Sequence, residues 1–209
     1  MTSVPPHYIA GRKTADDWRA LRSGLGGAAV PDTWNEAYEE YFLARLRLRY
    51  LEPIAVLQRE LHYQGEGFSI LAIQCTLIEF LEATFRGLTY RYLRRGEACG
   101  AFEYSRSSEV FADFLCTRAP FASRFDRPLA EEFYRSVRCG LLHEAQTKGG
   151  WRVWGCSEDG RIVDPGGRIV FRDDVQEGLE ACIAEYGRQL FVDVALQEAF
   201  VRKFDSLCA

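Results

Sequence analysis

Two side chains in the middle of the chain are of types that do chemistry together. Arg138 and His143 lie five residues apart in Val137-Arg138-Cys139-Gly140-Leu141-Leu142-His143. Arginine is a permanent cation whose planar fork fits phosphate oxygens, and histidine is the side chain whose ordinary pKa lies nearest neutrality. That pair suits RNA cleavage. A base takes the 2′-hydroxyl proton, the oxygen attacks the neighbouring phosphate, an acid protonates the leaving 5′-oxygen, and a cation stabilises the charge that builds on the phosphorane. No metal or other cofactor is required for this, and the sequence lacks the clustered carboxylates that hold paired magnesium ions. The same two residues also fit a structural role: histidine as a favourable charge at the negative end of a helix, arginine as an ion-pair partner.

Geometry limits how the two can cooperate. On an ideal helix five residues turn through about 500° and rise about 7.5 Å, so the side chains point roughly 140° apart. An irregular turn at Gly140, the reach of the arginine, or a second copy of the helix across a two-fold axis would each bring them to one phosphate. The last predicts a homodimer with two arginines and two histidines in one cleft. Arg135, Lys148 and Arg152 flank the pair and extend a phosphate-binding surface. Trp151 and Trp154 suit either stacking on bases or packing of a hairpin against the helices.

The elements that position these groups read as helices. Asp16 to Leu21 fits a short helix, and Gly24 to Ala29 a linker whose G-x-G-x-x-A spelling lacks the preceding strand that a dinucleotide loop needs. Trp34, Tyr38, Phe42, Leu46, Tyr50, Ile54, Leu57 and Leu61 form an apolar stripe that predicts a helix from about Thr33 to Leu61, kinked at Pro53, with Arg45, Arg47 and Arg49 on its exposed side. Ile70, Ile73, Leu77, Leu81, Phe85, Leu88 and Tyr92 predict a second from about Phe68 to Leu93. It buries Gln74, turns Glu79 toward the surface or a subunit contact, and ends in Arg91, Arg94 and Arg95, which can complement its C-terminus or bind phosphate. Ser108 caps a short helix closed by Pro120. Asp126 with Pro128 starts the helix that carries the motif, which Gly149 and Gly150 end. Three short apolar runs between Trp151 and Phe171 predict an antiparallel hairpin or meander, and Asp173 or Asp174 caps a last helix to about Ser206.

The fold class expected is mainly α: a bundle of four or five helices with a small antiparallel β insert at about 151–172, inside a domain of 31–209 that follows an extension of 1–30. The net charge of −4 excludes steering of nucleic acid by the whole molecule, so a phosphate site must be a local arginine patch. Seven single cysteines without a CxxC pair fit a reduced compartment. With no leader-like start and no uncharged run of eighteen apolar residues, a cytoplasmic protein with no membrane span is expected.

Arg138-x4-His143, late on a helix behind two long leading helices and followed by Gly149-Gly150-Trp151, resembles the HEPN superfamily (higher eukaryotes and prokaryotes nucleotide-binding). It is similar in particular to a group of small prokaryotic HEPN-like proteins. The resemblance covers about Thr33 to Phe204 as a layout, but only the helix around Arg138 matches specifically. It implies a metal-independent endoribonuclease, active as a homodimer, with Arg138 and His143 as the matched catalytic positions. It also implies a setting in toxins or defence against phage, where an inhibitory protein partner has a place. Cys139 departs from the polar residue usual after the motif arginine. Some family members bind RNA, nucleotide or protein as dimerisation modules without cleaving, and that is the alternative reading.

Overall fold

The computed structural model describes residues 6–25, 31–60 and 65–209. Among them are seven helices and seven short strands, so the fold is mainly α with minor β, as expected. The linker expected over Gly24 to Ala29 lies largely outside the described residues, as does Leu61.

The chain opens with the antiparallel strands β1 (Tyr8–Ala10) and β2 (Lys13–Thr14) and the helix α1 (Ala15–Arg22). Thr14 caps α1 in a capping box with Asp17. Trp18 is buried between Tyr41 and Phe204, so this segment shares the main core. Arg45 and Arg49, expected on a solvated face, donate instead to the carbonyls of Ile9 and Tyr8 and hold β1 in place.

Helix α2 runs unbroken over 31–60 and includes two π-helical stretches, Ala37–Leu43 and Arg47–Leu51. The second ends just before Pro53, where the ring would otherwise crowd the preceding turn. Its expected stripe is buried from Trp34 to Ile54, with Tyr50 partly covered. Helix α3 (Glu66–Arg86) is the central element, packed on α2 and on the four helices described next. It is long and apolar enough to span a membrane, but most of that surface is buried inside the fold.

Helix α3 ends seven residues earlier than its pattern predicts. Gly87 takes a left-handed φ of 66°, and a Cβ there would meet the Ala199 carbonyl oxygen at 2.7 Å, so the turn and a close helix crossing fall on one glycine. Leu88 to Tyr92 leave the helix, Tyr92 is 78% exposed rather than buried, and Arg91, Arg94 and Arg95 are not its C-terminal cations. Two strands, β3 (Thr89–Tyr90) and β4 (Glu103–Tyr104), pair in parallel instead.

Helix α4 (Ser107–Thr117) follows, with Arg106 rather than Ser108 at its cap. Helix α5 spans 127–144, capped by Asp126 onto the Leu129 amide, with Pro128 in its first turn as predicted. It contains a π stretch at Tyr134–Arg138 and returns to regular α-helix over Cys139–Glu144. It stops at Ala145, whose φ is 54°, ahead of the predicted Gly149 and Gly150. Gly140 lets the chain fold back, since a Cβ there would lie 2.6 Å from the Gln146 carbonyl oxygen.

The β insert differs from the predicted antiparallel meander. Strands β5 (Arg152–Trp154), β6 (Val163–Asp164) and β7 (Ile169–Phe171) lie in the order β5-β7-β6, and β5 pairs with β7 in parallel. Phe171, Val170 and Ile169 are all buried, so β7 needs a neighbour on both edges and takes the centre. The predicted last helix is two, α6 (Arg172–Leu190) and α7 (Val194–Leu207), because Asp193 caps a new start on the amides of Ala195 and Leu196. The break leaves Val194 exposed while Phe200 and Phe204 stay in the core.

Lys203 of α7 is buried and donates to the Leu88 carbonyl at 2.9 Å, placing a cation at the end of α3. Burial first, then nearby Arg45, pushes its pKa down to about 8, with Glu79 acting the other way.

Gly87→Ala should cost at least about 2 kcal/mol in urea unfolding, from strain at positive φ plus the clash with α7. Gly96→Ala, at a φ of 89° but in open space, should cost only about 1 kcal/mol. A second expectation concerns pH. The folded pKa of Lys203 lies below its ordinary 10.5, so between the two values the unfolded chain binds more proton and stability from this residue rises with pH. Relative to Lys203→Met, the wild type should gain up to about 3 kcal/mol between about pH 7.5 and pH 10.5 in unfolding curves.

Candidate functional site

The site is built where α5 crosses the middle of α3. Arg138 Nη2 lies 3.3 Å from Glu79 Oε2, and the Tyr104 hydroxyl donates to Glu79 Oε1 at 3.1 Å. The Arg138 guanidinium also sits 5.2 Å from the centre of the Tyr134 ring. Both members of the ion pair are mostly covered, with about one sixth of each side chain exposed (17% and 16%). Arg138 Nε is buried with no acceptor. Burial, followed by the Glu79 charge and its hydrogen bond, raises the pKa of Tyr104, and burial raises that of Tyr134. Tyr104 therefore stays a hydrogen-bond donor across the physiological range.

The arrangement follows from the sequence locally. Glu79 is one of three covered carboxylates on a largely apolar helix, and a buried charge persists only where an opposite charge or donors meet it. Three groups from two other elements converge on it: Tyr104 from β4, and Arg138 and, near by, Tyr134 from the π stretch of α5. Farther along, Leu141 and Ala145 line a groove with Phe68, Ser69 and Ala72 of α3. Arg138 pairing with Glu79 and Ala145 lying near Phe68 mean that α5 runs antiparallel to α3, with Arg138, Leu141 and Ala145 on its inner face.

His143 lies on the other side. It is exposed, as are Leu142 and Arg135, and has no hydrogen-bond or ion-pair partner among the described residues. The irregular turn that could have swung His143 toward Arg138 is absent at Gly140, because the π stretch ends at Arg138 and the helix is regular beyond it. The separation of about 140° expected for an ideal helix therefore holds within one protomer.

The other expected phosphate ligands are dispersed. Lys148 Nζ pairs with Glu144 at 3.1 Å, Arg152 donates to the Gly167 carbonyl at 2.9 Å, and Arg135 is exposed with no ion pair among the described residues. Trp151 is buried edge-on to Phe133 and donates to Glu132, so it packs the β insert onto the bundle. Trp154 is 52% exposed. Gln74 is buried and donates to the Arg172 carbonyl and to Gln176, while its own oxygen lacks a donor. Among the described residues no three His, Cys, Asp or Glu side chains converge as a metal site would need.

Sequence reasoning missed Glu79 and Tyr104. It placed Glu79 outward, although a carboxylate between apolar neighbours on a mostly buried helix is itself a sign of a partner. Tyr104 had no such signal, because parallel pairing of two-residue strands leaves no periodicity to find. No family model, no curated protein and no solved structure matches the chain.

Removing one partner of the covered pair leaves the other charge without its counter-charge. Glu79→Ala should cost about 2–3 kcal/mol in chemical unfolding, less than a fully buried pair because some solvent reaches it. In a double-mutant cycle with Arg138→Met, most of that loss should be recovered, whereas Tyr104→Phe should cost about 1 kcal/mol.

Proposed function

We propose that this chain is a metal-independent endoribonuclease of the HEPN type that acts as a homodimer in a toxin or phage-defence setting. One observation carries the reading: His143 stands exposed, with no partner among the described residues, in the last turn of the helix whose inner face holds Arg138. A free imidazole of this kind can take the 2′-hydroxyl proton or give one to the leaving 5′-oxygen. Arg138 faces away from His143 within one copy, so the guanidinium that meets the phosphate near a given His143 comes from the second copy. Exposed Arg135 supplies a further cation, whereas Lys148 is already paired with Glu144.

A second reading rests on the Arg138–Glu79 ion pair. If Arg138 serves mainly to neutralise Glu79, the helix is a dimerisation or docking element of a module that binds RNA, nucleotide or protein without cleaving it.

The two readings separate in one assay. Purified protein incubated with single-stranded and structured RNA in EDTA should cleave, and His143→Ala should lower the rate by at least about a hundredfold, the scale of a lost general acid or base. Sedimentation should give a dimer for both proteins. Equal cleavage by wild type and His143→Ala, or no cleavage by either, would end the ribonuclease reading, and a strict monomer that cleaves would end the shared cleft.

A further inference from the structure

The segment 87–106, which the sequence pattern assigns in part to helix α3, presents a different surface. Thr89 pairs with Glu103 and Tyr90 with Tyr104 in parallel, and the Arg91 amide extends the ladder to the Tyr104 carbonyl at 2.8 Å. Side chains alternate along such strands. Arg91 and Glu103 meet on one side at 3.0 Å, and the Tyr90 and Tyr104 rings meet edge-on at 5.5 Å on the other. Phe102 continues that aromatic side, with the Arg202 guanidinium 4.1 Å from its ring centre. Tyr90, Phe102 and Tyr92 are 52%, 50% and 78% exposed. Large apolar rings left in water at this density, on a chain that buries most of its aromatics, mark a surface that meets something.

The charge beside them narrows what that is. Arg91 is balanced by Glu103 and Glu97, and Arg106 by Glu109. Arg94 and Arg95 are exposed and have no ion pair among the described residues. Stacking rings beside uncompensated guanidinium groups are the two components by which proteins hold single strands: bases on the rings, phosphates on the cations. The row also has a direction. Its inner member, Tyr104, donates to Glu79, which holds Arg138, so a strand stacked on the outer tyrosines leads toward the candidate site.

We infer that the aromatic face of the β3–β4 pair takes up single-stranded RNA, with unpaired bases stacked on Tyr90 and Tyr92 and phosphates held by Arg94 and Arg95. The choice of RNA rests on the ribonuclease reading above. Duplex RNA is disfavoured because its bases already stack on each other and present no open ring faces.

The test is fluorescence anisotropy with full-length His143→Ala protein in EDTA, which holds the strand without cutting it. The probes are a short labelled oligouridylate and a blunt RNA duplex of equal length. The strand should bind more tightly than the duplex, and Tyr90→Ser with Tyr92→Ser should raise its Kd at least tenfold. Tyr92→Ser alone, at a position too exposed to affect folding, should raise it severalfold, and Arg94→Glu with Arg95→Glu should raise it and flatten its salt dependence. Unchanged affinity in both tyrosine variants, or tighter duplex binding, overturns the inference. So does loss of the dimer in the double tyrosine variant, which would make the face an interface between copies. Tyrosine-dependent binding by a protein that, with His143 intact, leaves RNA uncut removes the nuclease and keeps this surface. Cutting at the parental rate by the double tyrosine variant does the reverse.

Discussion

Helix α3 is the most buried helix of the bundle, yet it carries three covered carboxylates, and each must meet a cation for the helix to remain inside. Glu66 pairs with Arg172 at 2.9 Å, Glu79 with Arg138 at 3.3 Å, and Glu82 with Arg118 at 2.8 Å. Glu66 and Glu82 are almost fully buried. The three arginines come from three elements: the first residue of α6, the middle of α5 and the end of α4. Such pairs add little net stability, but every arrangement that separates one leaves a charge stranded in hydrocarbon. They therefore specify how α4, α5 and α6 sit around α3, and the candidate site is the middle one of the three.

This constraint also explains the dual character of Arg138. A guanidinium fixed by a carboxylate and set against the Tyr134 ring is pre-oriented, which is what a phosphate clamp needs. It is also partly neutralised, which weakens the attraction it can exert on an anion. Its buried Nε without an acceptor shows that Glu79 and Tyr134 do not use all of its hydrogen-bonding capacity.

Much of the fold was legible because helical stripes recur every three or four residues. Trp34 through Ile54, Ile70 through Phe85 and Val175 through Leu190 all buried the faces their spacing indicated. Ends were less legible where backbone geometry decided them. Gly87 stops α3 by a left-handed turn against α7, although Leu88 and Tyr92 continue the apolar rhythm beyond it. Asp193 restarts the chain after Leu190 within a pattern that looked continuous. Strand direction in the β insert was hidden because three runs of two or three residues carry no record of their pairing. At the site, the spacing of Arg138 and His143 correctly implied opposite faces, whereas the partner of Arg138 lies 59 residues away on another helix. Contacts of that kind leave no local trace beyond one charge in an apolar run.

The widened turn at Tyr134–Arg138 makes this segment the one part of α5 that can shorten and keep its faces. A π turn holds an additional residue relative to the α-helix on either side of it. Losing a single residue ahead of Arg138 there would let the turn tighten to α-helical geometry with the helix beyond it nearly in phase, whereas the same loss in the regular stretch Cys139–Glu144 would rotate everything after it by about 100°. In the first case Gly140 would still face the returning chain at Gln146. Through the phase of one helix, the widened turn works as slack that the regular turns after it lack.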